Sequence, residues 1–96
     1  MTYKEYNRIV KKETNRQPVH LLENYKYRGK SGKVGAYQLD HIYSIRQGFK
    51  NNIDPHIIAN IKNLRFIPWE DNLDKSSALT NDSWDMFTYF IEEGTI

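Results

Sequence analysis

The chain contains no cysteine, no apolar run near the roughly 20 residues of a membrane span, and only three histidines in 96 residues. Without cysteine there can be no disulfide staple and no thiolate zinc site, and a reducing, cytoplasmic setting is the natural expectation. The opening "MTYKEYNRIVKKE" lacks the apolar segment of a secretion signal. Neither internal repeats nor low-complexity tracts interrupt the chain, so one domain over residues 1–96 is expected. What the sequence does have is aromatic mass. Seven Tyr, four Phe and two Trp supply the core that so short a chain needs.

Charge is unevenly spread. Thirteen of the 14 Lys/Arg fall in residues 1–65, against five acids there, whereas residues 66–96 hold Lys75 and seven acids. A polarised chain of this kind suits a polyanion on its basic side, although a charge run by itself is more often a solvated face.

Hydrophobic spacing predicts a helix over residues 2–15, with Tyr3, Tyr6 and Val10 on one side. Tyr25 and Tyr27 suggest a short strand. A basic turn through Gly29, Ser31 and Gly32 then leads into a second strand ending at His41, giving a basic hairpin that carries Arg28, Lys30 and Lys33. The stretch "IRQGFKNN", with Arg46 and Lys50, reads as a basic connection. Asp54 and Pro55 mark a helix start, with Ile57, Ile58 and Ile61 as its buried side. His56, beside that cap, is assigned local structural work. "NLRFIPW" reads as a strand that Pro68 places at an edge or a terminus, seated by Phe66 and Ile67 with Trp69 in the core. "EDNLDKSSAL" reads as a short helix. A last helix is capped by Asn81 or Asp82, buries Trp84, Phe87, Phe90 and Ile91, and closes at Gly94.

The chemistry centres on Asp40-His41 at the end of a strand. An imidazole with an ordinary pKa of about 6.5 is largely neutral at physiological pH and can accept a proton from water. Side chains alternate along a strand, so Asp40 is expected on the face opposite His41 unless a bulge re-aims it. Taken alone, Asn63 reads as a helix C-terminal residue, Asn72 as a helix cap and Lys75 as a surface lysine.

Taken together, "LDHIYS", "NLRFIPW" and "NLDK", with Asn72 nine positions after Asn63, resemble the HNH endonucleases of the His-Me-finger group. The last signature position is Asn here, and "DHIYSIRQGFKNNI" followed by "NLRFIPWEDNLDKSS" is similar to small phage-encoded members. The likeness covers residues 37–79. It implies an α+β fold, with a ββα-metal core flanked by an N-terminal helix, a basic hairpin and a C-terminal helix. It also implies metal-dependent hydrolysis of DNA phosphodiester bonds, with His41 as general base and Asn63 orienting it through the loop. Asp40 and Asn72 would supply oxygens to a divalent cation. Such donors suit Mg²⁺ or Mn²⁺ better than zinc.

Arg28, Lys30, Lys33, Arg46, Lys50 and Lys75 are then the expected nucleic-acid contacts, Lys75 standing one turn beyond Asn72. No base-reading module is visible, so the enzyme is expected to have low sequence specificity, to need a specificity-giving partner protein, or to act as a homodimer. RNA stays open as a substrate. The competing expectation is an HNH scaffold that binds nucleic acid, or regulates or inhibits a host protein, without cutting. A colicin-like toxin nuclease, which tends to use additional histidines, is a weaker fit.

Overall fold

The computed structural model describes residues 1–75 and 80–93, and the described residues form five α-helices and one two-stranded sheet, an α+β arrangement. Helix α1 (Tyr3–Thr14) is capped by Thr2, whose hydroxyl accepts from the Glu5 amide. Its inner face is a stripe of Tyr6, Val10 and Thr14 at four-residue spacing.

Strand β1 (Tyr37–His41) pairs antiparallel with β2 (Leu64–Pro68), so that Leu39 faces Phe66, Asp40 faces Arg65 and His41 faces Leu64. Alternation puts Leu39, His41, Leu64 and Phe66 on one face and Gln38, Asp40, Arg65 and Ile67 on the other. Pro68 ends β2, where its missing N–H costs no ladder bond. Helix α4 (Trp69–Lys75) follows at once and packs on both strands.

Between the strands run α2 (Ile45–Lys50), α3 (Pro55–Ile58) and a single 3-10 turn at Ile61–Asn63. The main core lies between α1 and these short helices: Tyr6, Val10, Tyr43, Ile53, Ile58 and Ala59, with Phe49, Met86 and Phe87 packed against it. Helix α5 (Asn81–Glu92) closes the other side, stacking Phe87 on Tyr43 at 5.8 Å and burying Phe90. Among the described residues no helix is long and apolar enough to cross a membrane.

Five expectations are corrected. Tyr25–Tyr27 is a 3-10 turn, entered through Asn24 with φ +68°, and pairs with β1 only by an isolated bridge from Arg28 to Tyr37. Tyr25 lies edge-on to Phe66 instead of extending a hairpin. "IRQGFK" is helix α2, capped by the Ser44 hydroxyl. Helix α3 stops before Ile61, because Asn60 takes up extended backbone and caps the next turn through the Lys62 amide. Thr80 caps α5 in a reciprocal capping box with Ser83, displacing Asn81 and Asp82 into the first turn. Trp84 and Ile91 are 53% and 52% exposed, so the inner face of α5 is made by Ser83 and Phe90, with Met86 and Phe87 packed on the core. Gly94 and the later part of "EDNLDKSSAL" lie outside the described residues.

Candidate active site

Because β1 ends at His41, its last two side chains diverge toward different helices, as alternation requires. His41 turns toward α1, where its Nε2 lies 3.0 Å from the buried hydroxyl of Thr14. Burial lowers its pKa to about 4, with Lys75 and Lys11 adding to that shift and Asp40 opposing it. The ring is therefore neutral across the physiological range. In the tautomer whose Nε2–H donates to Thr14, the acceptor lone pair falls on Nδ1.

Asp40 turns the other way, toward α4, and is only 6% exposed. Arg65, its cross-strand partner, donates Nε to Oδ2 at 2.9 Å and also binds Asp82 of α5 at 2.9 Å. Lys75 Nζ reaches both Asp40 oxygens at 2.9 Å, the His41 carbonyl at 2.6 Å and the Ile42 carbonyl at 3.0 Å. Burial draws the Lys75 ammonium below its ordinary pKa, against the pull of Asp40. Asp40, Arg65, Lys75 and Asp82 thus form a balanced network of two anions and two cations, tying β1, β2, α4 and α5 together.

Asn63 holds the backbone just after His41. Fully buried, it accepts from the Tyr43 amide at 2.8 Å and donates to the carbonyls of Tyr43 at 3.1 Å and Ile58 at 2.8 Å. Its own carbonyl accepts from the Ile42 amide at 2.8 Å. Both amide hydrogens and the side-chain oxygen are used, so the loop leaving β1 is fixed to the turn entering β2.

Asp40, His41 and Asn72 border one open cleft of about 190 Å³ with Tyr3, Leu39 and Arg46. That is room for roughly six waters, enough for a phosphate group with some of its hydration. The Arg46 guanidinium is exposed and lies 4.6 Å from the Tyr3 ring, which places a cation on the cleft wall. Asn72 donates to Gln38 at 3.0 Å, whereas Asp40 takes Lys75 and Arg65, so the two expected cation ligands have separate partners. The donor types suit Mg²⁺, but the Asp40 oxygens are already engaged by two cations. In this arrangement Asp40 does not fit a divalent ion. Among the described residues no three His, Asp or Glu side chains converge.

The other expected contacts are dispersed. Arg28, Lys30 and Lys33 are exposed around the Gly-rich loop, with Arg28 and Lys33 lining a second pocket together with Lys26 and Tyr27, and Lys50 is exposed at the end of α2. Lys75 is no surface lysine. Its side chain is 6% exposed and faces inward. His56 is exposed and bonds its own cap, Asp54, at 3.0 Å. No family model, curated protein or solved structure matches the chain.

Three participants escaped the sequence reading: Thr14, Gln38 and Arg65. Thr14 had a legible signal, because it continues the Tyr6-Val10 spacing, and a hydroxyl on a buried stripe must find a partner. Gln38 could have been placed with Asp40 by alternation, but Arg65 required the strand register.

Proposed function

We propose that the chain is an HNH-type endonuclease that hydrolyses DNA phosphodiester bonds with His41 as general base. One observation carries this reading: a histidine kept neutral by burial and held through Nε2 by Thr14 borders a phosphate-sized cleft with Arg46 on its wall. The order of parts supports it too. Asp40-His41 ends one strand, Asn63 pins the following loop, and Asn72 comes from the helix packed on the strand pair, as expected of a ββα core.

A water bound between His41 and a phosphate in the cleft would lose its proton to Nδ1 as its oxygen bonds to phosphorus. The bond to the departing 3′ oxygen breaks in line, that oxygen keeping the bond pair and taking a proton from solvent, and Arg46 offsets charge gathering on the non-bridging oxygens. Mg²⁺ or Mn²⁺, implied by the resemblance, would have to draw on the Asp40 and Asn72 oxygens. Asp40 as arranged has none to spare, so the steps above use only this chain's residues.

The second reading, a silent scaffold that binds nucleic acid or regulates another protein, is favoured by that same engagement of Asp40. Conversion of supercoiled plasmid separates the two. Purified protein is assayed with Mg²⁺, Mn²⁺ or EDTA, wild type beside His41→Ala. Nicking or linearisation lost in the variant supports the nuclease, and folded wild type that binds DNA but never cuts it supports the scaffold.

A further inference from the structure

We propose that the Lys75 ammonium is a built-in cation filling the place at Asp40 that a divalent ion would take, so that lysine and metal exclude one another there. This builds on the nuclease reading, which gives the place its meaning, but the geometry stands without it. Four oxygens converge on Nζ within 3.0 Å: two from the Asp40 carboxylate and the backbone carbonyls of His41 and Ile42. An ammonium has three hydrogens to offer, so four acceptors exceed what simple pairing requires. Carboxylate plus main-chain carbonyl is the donor set of hard divalent cations, enlarged here to hydrogen-bond distances.

An ordinary structural ion pair would need less. Arg65 already neutralises Asp40 across the strands, and Asp82 neutralises Arg65 in part. Lys75 is nonetheless buried to the same degree as Asp40, although a lysine rarely gives up water without compensation of this completeness. A second cation arriving at Asp40 would meet Lys75 and Arg65 at short range in a poorly hydrated setting, where repulsion is strong. The lysine stem, with four rotatable methylenes, can withdraw without moving the backbone. Occupancy by metal therefore requires the Lys75 side chain to leave, and a nucleic-acid phosphate in the neighbouring cleft is the kind of anion that would receive it.

The test is Mn²⁺ titration followed by electron paramagnetic resonance, on wild type, Lys75→Met and Lys75→Met combined with Asp40→Asn. Lys75→Met leaves Asp40 paired with Arg65. It should bind one Mn²⁺ per chain at least about tenfold more tightly than wild type, and the gain should vanish when Asp40→Asn is added. Equal affinity in wild type and Lys75→Met, or a gain that survives Asp40→Asn, overturns the proposal.

Lys75→Gln, which keeps a donor for the two carbonyls, is titrated alongside in case the methionine variant does not fold. Wild type supplies a third reading by NMR. Equimolar Mn²⁺ should leave the Ile42 and Tyr43 amide resonances sharp, and their selective broadening would place metal at Asp40 with Lys75 present, against the proposal. These affinities are read without cleavage, and the His41→Ala plasmid assay reads cleavage whatever the affinities, so either idea can fail alone.

Discussion

At His41 a hydroxyl from a distant helix holds the ring through Nε2 at 3.0 Å. Thr14→Val keeps the shape of the α1 stripe and removes the Nε2 partner, so it should lower kcat at least about tenfold with little change in KM. Thr14→Ser should recover most of the loss, and failure of that rescue would reduce Thr14 to packing. The low pKa of His41 also has a stability consequence. Between pH 6.5 and about 4 the unfolded chain binds a proton at His41 that the folded chain does not. The contribution of neutral His41 is therefore complete above pH 6.5 and declines as pH falls toward 4, by at most about 3 kcal/mol. Urea denaturation of wild type and His41→Gln at pH 7 and pH 4.5 checks this, because the variant should lose less over that interval. Asn63→Ala leaves the Tyr43 amide and two carbonyls unpaired in the interior, and should cost about 2–4 kcal/mol in the same assay.

At the level of elements, local signals and tertiary demands parted company in the short pieces. The spacing of Tyr3, Tyr6 and Val10 made α1 legible, and Asp54-Pro55 marked the start of α3 for the same local reason that holds it there. Helix α2 was hidden by Gly48, which reads as a loop residue but serves close packing. A β-carbon at that position would come within 2.5 Å of the Tyr6 hydroxyl and 2.6 Å of an Ile58 side-chain carbon. Gly48→Ala would raise helix propensity yet should destabilise the fold by about 1–3 kcal/mol, and a gain in melting temperature would contradict the packing account. The turn at Tyr25–Tyr27 was misread as a strand because aromatic residues favour strands, whereas the left-handed Asn24 that shapes the turn has no unique sequence mark. At the site, Asp40-His41 was visible as adjacency and alternation. The partners that define its state, Lys75 and Arg65, lie 35 and 25 residues away; strand register brings in Arg65, and the packing of α4 on the strands brings in Lys75.

Over the whole molecule, basic groups around the Gly-rich loop and α2 remain exposed, while Lys75 and Arg65 are absorbed into ion pairs. Charge reversal at Lys30 and Lys33 should therefore weaken DNA binding and flatten its salt dependence, each lost phosphate contact lowering the logarithmic slope by about 0.9. An unchanged slope would clear that loop of phosphate contact. The Ile42 carbonyl has a wider effect, since it accepts from Lys75 Nζ at 3.0 Å and from the Ser83 hydroxyl at 2.8 Å. Ser83 is also half of the box that starts α5. Whatever draws Lys75 outward shifts the demand on that one oxygen onto Ser83 alone, and the first turn of α5 becomes a gauge of events beside Asp40. Amide exchange there should change whenever Lys75 is drawn outward.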